Sequence, residues 1–473
     1  MNIIKKFLAI AIAGVTALSF AACSELPQEK DFYDITVTYS DEGYIFVDMN
    51  VDTTLKANSD AVCFNAYPNA YRDGAKITPL KKDDGKGSFA VNAVTVDKNA
   101  SVFELVGSDE NVLRVLLGKT RNVGERVKIG IKYTAKLSLS DERMSRFDGG
   151  ANLGNFFPTL CVYDGDNYVF CEYGATGDPF FSEIADYKVK LVLPGKYVVA
   201  SGANATSCDV GEDQTSYSYS FENVRDVAFV INDKFSVLQK KSGDRSINYY
   251  FYSDSDPEST ISALKKSLEF FSEKFGDYPF DTYAAAETPF DAGGMEYPRL
   301  VYLAETDDRE NYLLAAVHET AHQWWYSLVG NDQTKEPFLD ESLAEYSAYV
   351  FFDEHPEFGI NAEELYNAKK SGCAYVEHAL MSLYSDYSGK VGRRLDEFYN
   401  AFDYVNAVYD KGFLMMKAAE DTVGRAKVLK NLKKYCSENA YKTADTAAFL
   451  ASMDSAKGVI EPYLDGKVFI PLA

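Results

Sequence analysis

The sequence contains the run His318-Glu319-Thr320-Ala321-His322 inside an apolar stretch, Leu313 to Val329, that predicts a helix. Histidines four residues apart lie on one face of a helix, one turn apart, so both imidazoles can bind one metal ion. Glu319 would then lie beside that metal, where a carboxylate can take a proton from a bound water. The pattern therefore indicates a catalytic zinc site. The alternative is a pair of ordinary histidines on a buried helix beside a surface glutamate.

A third zinc ligand is needed, because catalytic zinc sites use three protein side chains and leave one position open. A second helix can begin at Asp340 or Glu341, since acidic residues suit the first turn of a helix. Glu341 follows His322 after eighteen residues, which is enough chain for a turn at Val329-Gly330-Asn331-Asp332 and an antiparallel helix. We therefore expect Glu341 to be the third ligand. Glu345, one turn later, either orients a histidine or is a solvated carboxylate.

The chain resembles the aminopeptidase N-type gluzincins, which are zinc aminopeptidases with this histidine pattern and a glutamate eighteen residues later. The resemblance extends from about Ser259 to the C-terminus and is weaker in the first half. It implies a short bacterial lipoprotein member of that family. Three further segments match: Gly293-Gly294-Met295-Glu296-Tyr297-Pro298, then His322-Gln323-Trp324-Trp325 with Val329-Gly330-Asn331-Asp332, and Val408-Tyr409-Asp410-Lys411-Gly412.

The resemblance also implies roles for the matching residues. Glu296 would pair with the free α-amino group of a peptide, and Tyr409 would donate a hydrogen bond to the oxyanion of the tetrahedral intermediate. Gly293 and Gly294, before Met295, leave room for a peptide backbone to approach. The family has asparagine where this chain has Tyr297, a change that affects the fine geometry of the substrate.

The function expected from these residues is a zinc aminopeptidase that removes N-terminal residues from peptides. One zinc ion would be bound by His318, His322 and Glu341, and Glu319 would deprotonate the attacking water and then protonate the departing amine. Two alternatives remain open. The first is another zinc hydrolase of the same fold, such as an endopeptidase, and the second is a non-catalytic surface lipoprotein that binds peptide or metal.

The N-terminus predicts export. Two lysines precede an apolar run that is too short for a membrane span, and Phe20-Ala21-Ala22-Cys23 resembles a bacterial lipobox. We expect a signal peptide over residues 1–22 and a lipidated tether over residues 23–30. A lipid on Cys23 would anchor the protein to the outer face of a bacterial membrane. Cleavage of a plain secretory signal after Ala22 is the alternative.

The rest of the chain predicts an α+β protein of two domains. Alternating β-branched residues over 31–241 favour an antiparallel β-sandwich or saddle-like sheet, and residues 242–473 favour a mainly helical, thermolysin-like catalytic domain. The net charge of −23 argues against nucleic acid as a partner. Peptide substrates and the membrane lipid are the expected partners, and an oligomer is compatible with the sequence.

Three further expectations concern details. Larger relatives carry a C-terminal helical domain over the active site and this sequence ends at Ala473, so we expect an open cleft or one covered by another subunit. Cys161 and Cys171 flank a turn sequence and either pair or remain buried thiols. The runs Asn155-Phe156-Phe157-Pro158 and Gly177-Asp178-Pro179-Phe180 indicate ordered loops without chemistry of their own.

Overall fold

The computed structural model describes residues 30–76, 85–174 and 176–472. The predicted signal peptide and all of the predicted tether except Lys30 lie outside these residues. None of the described helices is both long and apolar enough to cross a bilayer. The α+β class is confirmed, with a β-rich first half and a helical second half.

The strands are β1 (Asp31–Tyr39), β2 (Tyr44–Thr54), β3 (Ser59–Asn65), β4 (Ser88–Val96), β5 (Asn99–Ala100), β6 (Phe103–Val106), β7 (Val112–Arg121), β8 (Arg126–Lys136), β9 (Met144–Phe147), β10 (Gly150–Leu153), β11 (Thr159–Leu160), β12 (Ala185–Pro194), β13 (Val198–Ser201), β14 (Ser207–Val210), β15 (Gln214–Val224), β16 (Phe229–Asn232), β17 (Ser236–Ser242), β18 (Arg245–Phe251), β19 (Thr282–Thr288), β20 (Gly294–Met295) and β21 (Leu300–Ala304).

The helices are α1 (Pro257–Phe275), α2 (Arg309–Ala321), α3 (Phe338–Glu354), α4 (Ala362–Leu383), α5 (Ala401–Val405), α6 (Gly412–Val423), α7 (Arg425–Asn439), α8 (Thr446–Ser452) and α9 (Lys457–Leu464). A single π-helical turn, Asn406–Lys411, joins α5 to α6 without a break in the helix.

The β-rich half contains a large sheet in the order β14-β15-β12-β1-β2-β8-β4-β5 and two four-stranded sheets, β13-β16-β10-β9 and β11-β3-β7-β6. Alternate residues of β1 are buried, among them Ile35 and Val37, as the period-two pattern predicts. The pairing is antiparallel except between β1 and β12, which run parallel from Asp31 opposite Ala185. A parallel pair joins segments that are distant in sequence, so alternation within one strand could not predict it.

The second half begins with a five-stranded sheet in the order β17-β18-β19-β21-β20. Its first strand starts at Ser236, so the predicted domain boundary at residues 241/242 falls inside that strand. Every residue of β19 is buried, because the sheet is covered on both faces. Ala284 and Tyr302 belong to the core of the β-rich half, while Tyr283 and Val301 belong to the core of the helices.

Helix α2 is shorter at its C-terminal end than the predicted stretch Leu313 to Val329. It stops at Ala321, and Tyr326 has a φ of 123°, which no helix accommodates. The following residues are apolar because they pack inside the core: the Trp324 and Trp325 side chains are completely buried. Apolar residues in an irregular buried loop resemble a buried helix in sequence, and this explains the error.

Arg225 connects the two halves next to this loop. Its buried guanidinium donates to the backbone carbonyls of Ser182, Tyr326 and Lys442 at 2.8, 2.9 and 2.5 Å. Burial lowers the pKa of Arg225 to about 10. A side chain at Gly330 would overlap this guanidinium, which gives a reason for glycine at that position of the Val329–Asp332 motif.

Candidate active site

The two histidines and Glu341 meet at one point in the structure. The Nε2 atoms of His318 and His322 lie 3.0 Å apart, and Glu341 Oε2 lies 3.2 and 3.3 Å from them. In a tetrahedral zinc site with ligand bonds of about 2.0–2.1 Å, ligand atoms are separated by about 3.3 Å. The three donor atoms therefore fit the base of a zinc tetrahedron.

The other ring nitrogens of the two histidines are oriented away from this triangle. His322 Nδ1 lies 2.8 Å from the carbonyl oxygen of Trp325, and His318 Nδ1 lies 3.3 Å from Glu345 Oε1. A proton on each Nδ1 leaves each Nε2 with a free lone pair, which is the form that binds a metal. The Glu345 carboxylate thus lies beside His318, and its side chain is 18% exposed.

Glu341 owes its position to the start of α3. Helix α3 begins at Phe338, slightly earlier than predicted. Within its first turn the backbone N–H of Glu341 donates to Asp340 Oδ1 at 2.9 Å. Burial raises the pKa of the Glu341 carboxyl, but the neighbouring histidines lower it to about 2. The histidines thus favour the ionised form of Glu341, the form that binds a metal.

A chain of charged side chains continues from Glu345. Its second oxygen lies 2.9 Å from the Lys369 ammonium, which lies 3.0 Å from Asp410 in the Tyr409 segment. Lys369 comes from α4 and also lines the cleft. A lysine in an ordinary helical pattern carries no signal of its own, and sequence reasoning did not identify this one.

Glu319 points into the same cleft, a cavity of about 340 Å³. Its carboxylate is buried, and Oε2 has no hydrogen-bond partner among the residues that the structure describes. Burial raises the pKa of Glu319 to about 8. In its ionised form Glu319 has one free oxygen beside the ligand triangle, where it is placed to accept a proton from a bound water.

Gly294 makes this position of Glu319 possible. A Cβ atom on Gly294 would overlap the Glu319 carboxylate, whereas a Cβ on Gly293 would meet nothing within 4 Å. Gly293 instead adopts a φ of 87°, a conformation that favours glycine. The two glycines therefore serve different purposes, and only the second is needed to accommodate the Glu319 side chain.

Glu296 lies at one end of the cleft and is 3% exposed. Its Oε1 accepts a hydrogen bond of 2.9 Å from Gln333 Nε2, which also donates to Asp340 at 2.7 Å. Carboxylate oxygens of Asp178, Glu296 and Glu341 lie within 4.8 Å of one another. The expectation that Gly177–Phe180 lacks chemistry was therefore wrong, because Asp178 brings a carboxylate from the β-rich half into the site.

Arg143 stands behind this acidic group. Its guanidinium contacts Asp178 directly, and its Nε lies 3.1 Å from the Met295 sulfur. Burial raises the pKa of Asp178 to about 7, although Arg143 lowers it. Met295 thus lies beneath the cleft against a cation, and sequence reasoning missed both Arg143 and Asp178 because they lie more than one hundred residues before Glu296.

Tyr297 faces away from the cleft. Its hydroxyl donates to Asn155 Oδ1 at 2.6 Å, and Asn155 Nδ2 donates to the buried Asp226 at 2.8 Å. A side chain at Gly154 would overlap the Tyr297 phenol. Tyr297, which departs from the family pattern, therefore joins the two halves of the chain through its hydrogen bond to the Asn155 loop.

Tyr409 lies in the π-helical turn and covers the other side of the ligand triangle. Its ring stacks on His318 with centroids 5.9 Å apart and planes 14° apart. Tyr404 packs edge-on against Tyr409 at 5.7 Å. Burial, followed by the Glu341 carboxylate, raises the pKa of Tyr409 well above its usual value, so its phenol keeps the proton.

Gly412, the last residue of this motif, lies against α3. A Cβ atom there would overlap the Ser342 hydroxyl, which donates to the carbonyl oxygen of Val408 at 2.6 Å. The glycine therefore allows the Tyr409 segment to approach the helix that carries Glu341.

Residues 260–465 match the model of the peptidase family M1 domain. The chain is thus similar to this family over residues 260–465, the region called the M1 domain. Its ligand triangle, Glu319 and the Tyr409 turn all fall inside the matched residues, whereas Asp178 and Arg143 come from outside the M1 domain.

Curated relatives match part of the chain. It is 25% identical over 238 residues to Tricorn protease-interacting factor F2 of Thermoplasma volcanium, a match that covers 48% of this chain and 30% of that protein. It is 28% identical over 212 residues to Aminopeptidase 2, mitochondrial, of Saccharomyces cerevisiae, which covers 41% of this chain and 21% of that one. The aligned region thus spans less than a third of either relative.

The fold is similar over nearly the full length to an M1 zinc metallopeptidase from Deinococcus radiodurans. The TM-score is 0.68 at 15% identity, with 94% of this chain and 95% of that one covered. A mutant of that enzyme bound to a Tyr-Ser-Ala substrate gives a TM-score of 0.67 at 16% identity, with the same shares of both chains covered. The β-rich half and the M1 domain therefore occur together in a known architecture.

The cysteines of the M1 domain and of the β-rich half are free. Cys161 and Cys171 are both buried thiols, so of the two alternatives the structure has the unpaired one. The Asn65 carboxamide oxygen accepts from Cys161 Sγ at 3.3 Å and from the Cys171 backbone N–H at 3.0 Å. Both cysteines therefore bond to the same asparagine rather than to each other.

The Gly294→Ala variant tests the contact between the strand and the base. The added methyl group displaces the Glu319 carboxylate, and we expect kcat/KM for peptide hydrolysis to fall about 10²-fold, since a shift of about 1 Å has that effect. Zinc content and melting temperature should remain near those of the parent. Gly372→Ala is the matched control, because its Cβ meets nothing within 4 Å. Full activity in Gly294→Ala would contradict the proposed position of Glu319.

Proposed function

We propose that this protein is a zinc aminopeptidase that removes single residues from the N-termini of peptides. The observation that carries the proposal is the group of Asp178 and Glu296 carboxylates beside Glu341. In an amino acid the α-nitrogen and the carbonyl carbon are about 2.5 Å apart. An ammonium bound by Glu296 therefore places the first peptide bond, and no later one, beside the metal ligands.

The chemistry follows from the positions of the side chains. Zinc, when held by His318, His322 and Glu341, lowers the pKa of a bound water towards neutrality and polarises a carbonyl group. Glu319 takes a proton from the attacking water and passes it to the departing amine. Tyr409 donates its phenol hydrogen to the negative charge that develops on the carbonyl oxygen.

The acidic end of the cleft also determines what is rejected. An acetylated N-terminus carries no positive charge, so the buried Glu296 carboxylate would keep only its hydrogen bond from Gln333, while Asp178 would keep its contact with Arg143. A buried charged group that loses its partner is costly. This argues for an exopeptidase and against an endopeptidase with the same metal site.

The metal site and the base can be tested separately. We expect purified protein to bind one zinc ion per chain, measured by atomic emission, and to release the fluorophore from aminoacyl-coumarins. His322→Ala should lose both zinc and turnover, whereas Glu319→Gln should keep zinc and lose turnover about 10³-fold or more. His378→Ala changes an exposed histidine and is the control that should lose neither. A zinc-loaded protein without turnover of any aminoacyl substrate would refute the proposal.

Glu296 can be tested through the substrate's charge. The Glu296→Ala variant should lose about 10- to 150-fold in kcat/KM for free peptides, equivalent to one charge-assisted hydrogen bond of about 1.5–3 kcal/mol. We expect Asp178→Asn to lower kcat/KM for free peptides as well. Glu305→Gln, on the rim beyond β21, is the control. Equal hydrolysis of free and N-acetylated peptides by the parent protein would instead indicate an endopeptidase.

We also propose that the enzyme works outside the cytoplasm as a lipoprotein. The support is the lysine-flanked apolar run before Cys23 and the lipobox-like sequence that ends there. Expressed in a bacterium, the protein should fractionate with membranes and carry a diacylglyceryl-modified N-terminal cysteine by mass spectrometry. Cys23→Ala should abolish the lipid, and Cys208→Ala is the control. A soluble exported protein with an unmodified Cys23 would favour the plain secretory signal.

A further inference from the structure

A completely buried ion pair lies behind the Tyr409 turn. Lys411 and Glu377 have side-chain exposures of 0% and 1% and contact each other directly. The Lys411 ammonium also donates to the carbonyl oxygens of Gly389 at 2.7 Å and Val468 at 2.6 Å. An ammonium has three N–H donors, so all of them are used.

The same pair ties down the segment Lys467–Leu472, which we call the C-terminal strap. The second oxygen of Glu377 accepts a hydrogen bond of 2.7 Å from the backbone N–H of Ile470. The Phe469 ring lies 5.1 Å from the Lys411 ammonium, a cation–π distance. Three consecutive residues of the strap therefore contact the Lys411–Glu377 pair.

Gly389 completes the enclosure. Its φ is 58°, and a Cβ atom would lie 2.9 Å from both Lys411 Nζ and Glu377 Oε1. The ion pair is thus surrounded by α4, the Gly389 loop, the strap and the π turn, with no room for a further atom on the glycine side.

Lys411 is the final residue of the π turn, two residues after Tyr409. A π turn contains one residue more than an α-helical turn and is intrinsically unfavourable, so it persists only where its surroundings hold it. The Ser342 bond to Val408 holds the turn on the side of α3. The Lys411 contacts hold it on the opposite side.

Stability alone does not explain such a pair. Removing two charges from water costs several kcal/mol per ion, and apolar replacements of buried pairs are often equally stable or more so. The best-attested use of a buried ion pair is to select one arrangement among similar ones. The element that Lys411 belongs to is the π turn that also carries Tyr409.

We propose that Lys411 is a positioning residue which, together with Glu377 and the C-terminal strap, fixes the Tyr409 phenol over the metal ligands. The proposal rests on the proposed function, in which Tyr409 stabilises the developing charge on the substrate. It assigns to the strap, which lies outside the cleft, a part in the rate of the chemical step.

A double-mutant cycle tests this coupling. Tyr409→Phe should lower kcat about 10²- to 10³-fold, the usual effect of losing a donor to an oxyanion. Lys411→Met should lower kcat about 10²-fold through misplacement of the phenol, with little change in KM. The double variant should be no slower than Tyr409→Phe within twofold, because Lys411 then has nothing left to position. Losses that multiply would overturn the proposal.

Two controls separate positioning from general damage. Lys417→Met removes an ion-paired lysine from α6, six residues after Lys411, and should leave kcat unchanged. Zinc content and melting temperature are measured for every variant. If Tyr409→Phe is fully active or the parent is inactive, the proposed function fails. If Tyr409→Phe loses activity and Lys411→Met lowers kcat further in that background, only the coupling fails.

The strap can be tested without changing a charged residue. This second measurement still tests the proposal if Lys411→Met does not fold. Ile470→Pro removes the backbone N–H that donates a hydrogen bond to Glu377. Ile470→Val keeps this N–H and shortens the side chain by one methylene. We expect Ile470→Pro to lower kcat at least tenfold in the parent and less than twofold in the Tyr409→Phe background. Equal kcat in Ile470→Pro and Ile470→Val would overturn the role of the strap.

Discussion

The burial of several carboxylates in one cleft is the constraint on which the active site depends. Asp178, Glu296, Glu319 and Glu341 share one cleft, and taking any of them out of water unpaired would cost several kcal/mol. The protein supplies compensation to most of them: Arg143 contacts Asp178, Gln333 donates to Glu296, and both histidines face Glu341. In the proposed function, the remaining negative charge is balanced by two cations, the metal ion and the ammonium group of the substrate.

This constraint explains why so much of the site comes from outside the recognisable motifs. The metal ligands lie on or next to helices α2 and α3, and the spacing of His318 and His322 can be recognised in the sequence because it follows the helical repeat. Asp178 and Arg143 lie on loops of the β-rich half, where no repeat relates them to Glu296. Their contribution depends on how the two halves are placed together, which is determined by buried contacts such as that of Tyr297 with Asn155.

The same distinction applies to the fold. The alternation in β1 follows a local rule, and the sequence predicts this strand. The end of α2 does not follow such a rule, since Trp324 and Trp325 would suit a buried helix as well as the buried loop that they occupy. The parallel pairing of β1 with β12 and the placement of Cys161 beside Asn65 likewise require partners distant in the chain. Local patterns predicted the elements, and long-range packing decided their ends and neighbours.

The five-stranded sheet has a consequence for how the chain can be divided. Because alternate residues of β19 and β21 belong to two different cores, neither half has a finished surface where the other covers it. Separation would expose an apolar sheet face and the carbonyls that Arg225 now satisfies. The β-rich half is therefore an integral wall of the peptidase and not a detachable accessory. Transfer of the helical half alone to another protein would therefore require a substitute for that wall.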